Sequence, residues 1–290
     1  MLSAKLIYLL GAFINVMMIN IVKYIGLNGI LSVNEMIMMR AFFAVLILLP
    51  FNWKELKNMR HHNRKTNILI VGLGLVSVLD TFIWYQGLQT VPINNVIIMM
   101  LFLSPIITAT MSRIILKERI QKEIVLNFVI NISAVFLIYH FSIGRLTVGY
   151  LFLFIDFFVY AFMAILIKKL QKLPANFLVF IRLLTILPIS AAVVHHIPIL
   201  NTKVMIFIAL VVFGYIIERT LVTYAFKTVP VVEIQPLRYF NIVFSSFLSY
   251  LILGEKLTKW QIIGSCIIIF GSIGVNLWFL KSKTKAPVSR

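Results

Sequence analysis

The 290 residues hold one cysteine, Cys266, so no intrachain disulfide can form. It sits inside an apolar run, where a buried thiol is the expectation. Histidine is scarce too. His61, His62, His140, His195 and His196 are scattered over expected loops and helix ends, with no His-x-x-x-Asp or His-Glu-x-x-His spacing. Such a pattern gathers neither metal ligands nor a nucleophile with its base, so no metal, no cofactor and no enzymatic activity are expected. A channel is disfavoured as well, because no filter-like motif or short ring-forming span is present. Charge is the other shortage. Charged residues make up 12% of the chain, and only nine are acidic against 27 Lys and Arg.

What fills the chain instead is apolar. Hydrophobic residues are 61% of the total and the mean hydropathy is +1.01, more than a soluble domain of this length can hide. Long uncharged runs such as 6–22, 93–112, 124–144 and 260–280 approach or reach the ~20 residues that cross a hydrocarbon core. The first run lacks a small-residue cleavage site and reads as a retained span, not a signal peptide. The expected fold is all-α and integral to the membrane. Ten spans are placed near 4–25, 33–51, 66–88, 92–116, 120–140, 148–168, 176–195, 204–226, 231–253 and 259–280. With both termini cytoplasmic, 17 basic residues fall on the inner face and five on the outer. The positive-inside rule accounts for the net charge of +18, so a nucleic-acid partner is not expected. The partners are the lipid bilayer and a small-molecule substrate.

One motif occurs twice. Thr90-Val91-Pro92 opens an apolar run that ends at Leu116-Lys117-Glu118, and Thr228-Val229-Pro230 opens another ending at Leu253-Gly254-Glu255, about 138 positions later. In both, Pro stands where a helix begins and its missing amide hydrogen costs nothing. Aligning Asn34 with Asn176 lays Arg40 on Arg182, which extends the repeat to the second helix of each half. Residues 1–143 and 144–280 thus form two five-helix repeats, followed by a basic tail at 281–290 read as disordered. Five is odd, so the second repeat enters from the opposite side. Inverted repeats of this kind recur in secondary transporters and point to alternating access.

Ten charges fall within the spans: Arg40, Arg113, Arg182, Arg219 and Arg238 against Glu35, Asp80, Asp156, Glu218 and Glu233. Each would cost about 2.5–3.5 kcal/mol at mid-membrane, so they are expected to face the interior. Arg113 lies one turn from a span end and can snorkel. Arg40 and Arg182 are read as anchors, one for each half-bundle. Glu35 and Glu233, near span ends, suit either capping and ion pairing or the rim of a pathway. Asp80, Asp156 and Glu218 lie deeper and are the candidates for a cavity wall. Asp80 with Trp84, and Asp156 with Tyr160, are spaced four apart, so each pair shares one helix face. Tyr239, next to Arg238, is a further aromatic candidate. Glu218 and Arg219 are adjacent, about 100° apart on a helix, and are expected to serve different neighbours. Asn15 and Gly11 share a face and suit helix packing, as do Gly264 and Gly271.

These residues resemble the EamA-like drug/metabolite transporters, in which a Pro-to-Glu helix closes each half before a final glycine-bearing one. The resemblance covers residues 4–280. Within it, Pro236-Leu237-Arg238-Tyr239 with Ser245-Ser246 and Tyr250 is similar to the ninth span of S-adenosylmethionine uptake carriers of intracellular bacteria. Glu35 with Arg40, and Trp84, fit the same pattern, whereas Asp80 and Asp156 have no counterpart in it. The resemblance implies a multi-pass protein of the bacterial inner membrane that moves a small polar metabolite. S-adenosylmethionine is the first candidate, and an amino acid or related metabolite the alternative. Aromatic walls would hold the sulfonium and adenine, acidic side chains the ammonium, and Arg238 the carboxylate.

The orientation is checked by labelling. In a Cys266→Ser background, Arg60→Cys is expected to react with a membrane-impermeant maleimide from the cytoplasmic side only, and Lys203→Cys from the outer side only. The reverse pattern would invert the assigned topology.

Overall fold

The computed structural model describes residues 2–27, 29–91, 93–138, 147–194, 201–253 and 258–285. Pro92, Gly254 and Glu255 of the repeated motif lie outside the described residues. So do His140, His195, His196, the 143/144 boundary and the end of the tail.

Every described element is helical. In order they are α1 (Leu2–Leu27), α2 (Val33–Asn58), α3 (Arg64–Thr90), α4 (Ile93–Leu116) and α5 (Lys122–Ile138). Then come α6 (Val148–Lys169), α7 (Ala175–Val193), α8 (Thr202–Thr228), α9 (Val231–Ile234), α10 (Phe240–Leu253) and α11 (Lys259–Lys285). Two 3-10 turns intervene, Met59–His61 after α2 and Gln235–Tyr239 between α9 and α10. Among the described residues, seven helices are long and apolar enough to cross a membrane: α1 to α4 and α6 to α8. The other expected spans are shorter. α5 has 17 residues, the ninth is divided, and the apolar part of α11 covers Lys259–Val275.

Local chemistry explains several boundaries. Ser32 caps α2 in a reciprocal box: the Glu35 amide donates to Ser32 Oγ at 3.3 Å and the Ser32 amide to Glu35 Oε2 at 2.7 Å. Asn63 and Asn201 cap α3 and α8 through the amides of Thr66 and Val204. The ninth span, expected as one helix over 231–253, is interrupted because Pro236 has no amide to donate. The chain tightens into a 3-10 turn there before resuming as α10. At the other end, α11 runs through Lys285, into the segment read as a disordered tail.

Packing follows the repeat. The main helix pairs are α3 with α6, α1 with α8, α5 with α11, and α2 with α7. Among the pairs that join one half to the other, α4 with α6, α3 with α7, α1 with α10, and α2 with α8 follow, while α7 packs with α8 inside the second half. Exchanging each helix for its counterpart in the other half (α1 for α6, α2 for α7, α3 for α8, α4 for α9–α10, α5 for α11) maps the set of pairs between the halves onto itself. The most extensive of the helix contacts join one half to the other, so much of the core is shared between the halves.

Small residues bring the helices close. Gly264 and Gly271 of α11 meet Ile138 and Ile130 of α5, on the face the sequence indicated. Cys266 falls on the other side of that helix and is exposed, contrary to the expected buried thiol, because the buried stripe runs through Gly264, Ile268 and Val275. On α3, Gly87 faces Leu153 of α6, which is wholly buried. A Cβ at Gly87 would lie 2.5 Å from Leu153 Cδ2, whereas one at Gly72 would meet nothing within 4 Å. Gly87→Val is therefore expected to destabilise the protein by about 1–3 kcal/mol. Gly72→Ala is expected to be neutral or to stabilise by up to about 1 kcal/mol through helix propensity. Thermal unfolding in detergent checks both; equal unfolding temperatures for the two variants would refute the close α3–α6 approach.

Candidate functional site

The antiparallel seam between α3 and α6 brings two of the sequence pairs together. Ser77 Oγ lies 3.7 Å from Met163 Sδ, Gly87 faces Leu153, and Gly149 faces Thr90. In this register Asp80 is level with Tyr160 and Trp84 with Asp156. The two carboxylate-aromatic pairs, each four apart in sequence, thus interleave by register into one ladder, an acid level with a ring on both rungs. Asp156 is buried and its Oδ1 has no hydrogen-bond partner among the described residues. Asp80, Trp84 and Tyr160 keep partial access. Trp84 also packs with Tyr150, Met99 and Leu103 beside buried Phe157.

Arg238 closes one side of the ladder. Its guanidinium lies over the Tyr160 ring, 4.5 Å from the centroid, and its Nη1 donates to Ser104 Oγ at 2.8 Å. Ser104 precedes Pro105 in α4. The interrupted ninth span thus presents a cation to two helices, α4 of the first half and α6 of its own. Tyr239 does not join it. In a 3-10 turn successive residues point about 120° apart. The Tyr239 ring is wholly buried on the opposite side, among Leu101, Val135, Ile138 and Ile268.

A second group of charges surrounds α8. Arg219 Nε lies 3.0 Å from Glu218 Oε2, and Asn15 Nδ2 donates to Glu218 Oε1 at 3.3 Å. The expectation that Glu218 and Arg219 serve different neighbours is thus overturned: the Arg219 side chain is long enough to fold back across 100° of helix. Gly11, one turn from Asn15, packs on Val222 and Leu221, so α1 meets α8 through the face its sequence suggested. Arg40 lies over the Tyr215 ring at 4.1 Å, and Arg219 lies 5.3 Å from the same centroid. Arg182 Nε donates to Ser77 Oγ at 3.0 Å.

Arg40 and Arg182 therefore do not anchor separate half-bundles. Arg40 reaches from α2 to α8, and Arg182 from α7 to α3. Each spans from the second helix of one half to the third helix of the other. Sequence reasoning missed Tyr215 and Ser77 as their partners, although these two stand 138 positions apart, the spacing of the duplicated motif. Asp80 and Glu218 share that spacing as well.

The ten intramembrane charges sort into two sets. Arg113 is exposed near the end of α4, Glu35 is held in its capping box, and Glu233 pairs with Lys5 at 2.8 Å. The remainder is a central cluster of Arg40, Arg182, Arg219 and Arg238 with Asp80, Asp156 and Glu218. Asp80 lies within electrostatic reach of all four arginines, and Asp156 of Asp80 and Arg238. Seven isolated charges would cost about 20 kcal/mol at mid-membrane, more than the 5–15 kcal/mol by which folded proteins are stable. Mutual compensation and water are thus required of this centre. Among the described residues, however, Glu218 and Arg219 form the cluster's one direct ion pair.

On the face where α4, α6 and α8 end, the halves are tied together. Both oxygens of Glu118 accept backbone amides at the start of α9, Val231 and Val232, each at 3.0 Å. This is a charged cap delivered from the other half. Lys168 Nζ donates to the carbonyls of Lys227 and Val229 at 3.0 Å, and Lys227 Nζ donates to the Leu173 carbonyl. The Lys5–Glu233 pair completes the belt.

The fold and its charged centre define a helical membrane protein built from two related halves around a polar core. The sequence profile of the EamA-like transporter family matches residues 2–140 and again 147–277. The chain belongs to the EamA-like transporter family. A search of curated protein sequences finds no match. One solved crystal structure, described only as that of a protein, superposes with a TM-score of 0.77. The match covers 98% of this chain and 99% of the other at 13% identity, which bears on the fold alone.

Glu118→Ala is expected to destabilise the protein by about 1.5–3 kcal/mol, the range for a lost charged hydrogen bond, and Glu118→Gln by less. Unfolding temperatures in detergent check this; no loss in Glu118→Ala would show that the cap contributes nothing.

Proposed function

We propose that this protein is a secondary carrier that moves a small zwitterionic metabolite across a bacterial inner membrane by alternating access. S-adenosylmethionine is the first substrate to test, and amino acids and their relatives are the second. The observation that carries the reading is the central cluster, in which cationic and acidic side chains from both halves meet with little direct pairing. A solute bearing both signs compensates such a centre, and its departure leaves the charges to water.

The ladder of Asp80, Trp84, Asp156 and Tyr160 suits the cationic end of the solute. Carboxylates attract an ammonium, and the ring faces attract an ammonium or a sulfonium. Arg238, steadied by Tyr160 and Ser104, suits its carboxylate. Glu218, whose two oxygens are already engaged, is assigned a structural role. The antiparallel α3–α6 and α1–α8 seams support ten alternating crossings with an inverted second repeat and cytoplasmic termini. In that arrangement the Glu118 and Lys5 contacts tie the halves at the cytoplasmic face, and transport requires their release. S-adenosylmethionine is put first by the likeness of the ninth span to carriers of that solute.

The test is uptake of labelled S-adenosylmethionine and of a panel of amino acids by proteoliposomes, with and without internal substrate or a pH gradient. Arg238→Ala and Trp84→Ala are expected to abolish uptake while remaining folded and inserted. Wild-type rates in both would remove these residues from the site, and no uptake of any solute by the wild type would overturn the carrier reading.

A further inference from the structure

The repeat relates Arg40 to Arg182, yet the two guanidiniums are held differently. Arg182 donates from Nε to the Ser77 hydroxyl. At the position matching Ser77, 138 residues on, α8 carries Tyr215, and Arg40 lies 4.1 Å from the centre of that ring. An aromatic face attracts the cation but offers its in-plane N–H groups no strong acceptor. Arg40 Nε is buried and has no hydrogen-bond partner among the described residues. The nearby carboxylate is turned to other partners. Glu218 gives one oxygen to Arg219 at 3.0 Å and the other to Asn15 at 3.3 Å. Arg40, Arg182 and Arg219 all lie within electrostatic reach of this one engaged carboxylate. Asp80 reaches the same arginines, yet the centre as a whole sets four arginines against three carboxylates and so holds one more cation than its own acids balance.

We infer that Arg40, with Tyr215 behind it and Arg219 beside it, is a second anion-binding position, separate from Arg238 and suited to a carboxylate. A carboxylate has the planar pair of oxygens that a guanidinium's donor edge engages two at a time, and an ammonium cannot make this match. The groups that face it are Arg182 from α7, Glu218, Arg219 and Tyr215 from α8, Asn15 from α1 and Asp80 from α3. The inference deepens the carrier reading and rests on it for the source of the carboxylate, the transported solute. Its test is binding, which needs no transport.

The purified full chain in detergent is titrated with sodium acetate, sodium succinate and methionine at ionic strength fixed by sodium chloride. The unfolding temperature is followed, with acetamide and methionine methyl ester as carboxylate-free controls. At least one carboxylate is expected to raise the wild-type unfolding temperature saturably, by a few degrees, while its control does not. Arg40→Gln is expected to abolish the rise. Arg40→Lys keeps the charge but loses the two-pronged edge, and is expected to need at least tenfold more ligand. A rise with acetate or succinate means that a free carboxylate suffices; a rise with methionine alone ties the carboxylate to an amino-acid solute. The inference is overturned if no carboxylate stabilises the wild type, if ester and acid act alike, or if folded Arg40→Gln or Arg40→Lys responds as the wild type does. Absence of uptake by wild-type proteoliposomes, with Arg40-dependent carboxylate binding intact, would overturn the carrier reading and leave the anion position standing.

Discussion

A charge in hydrocarbon must be compensated, and that constraint organises this protein more than any apolar contact does. Lipid and the helix core are equally apolar, so burying a leucine between helices gains little over leaving it in lipid. Polar groups discriminate strongly. Arg40, Arg182 and Arg238 each reach from one repeat into the other to find a ring face or a hydroxyl. Close glycine contacts along α3–α6 and α5–α11 then let the backbones approach near enough for such side chains to meet.

The two repeats have kept a common frame and diverged within it. Asp80 and Glu218 stand at equivalent positions on α3 and α8, but Glu218 is ion-paired with Arg219 and accepts a hydrogen bond from Asn15, whereas Asp80 is level with Tyr160 across the α3–α6 seam. Ser77 and Tyr215 differ in the same way, one an acceptor and the other an aromatic surface. A symmetric scaffold thus encloses an asymmetric centre, in which matching positions of the two halves hold their charges in different ways.

The broken segment α9–α10 runs from the tied face to the centre. Pro236 interrupts the ladder of backbone hydrogen bonds, and the resulting turn sets Arg238 toward the charged centre and Tyr239 into the apolar core. A few residues earlier, the start of α9 is held by Glu118 from the opposite repeat. The segment that presents Arg238 is therefore fastened at the face where the halves are tied.

By itself the sequence determined what is periodic or compositional. Long apolar runs made the fold helical and membrane-bound, the duplicated Thr-Val-Pro motif divided it into two repeats, and the spacing of four put Asp80 with Trp84 and Asp156 with Tyr160. These are properties of one helix at a time, and a helix carries them wherever it packs. Only the tertiary structure decided which helices adjoin. It interleaved the two pairs into a ladder, placed Tyr215 and Ser77 against the matching arginines, folded Arg219 back onto Glu218, and sent Tyr239 into the apolar core. It also left Cys266 exposed. Such outcomes depend on register and on side-chain direction between segments far apart in the chain, which no local period encodes.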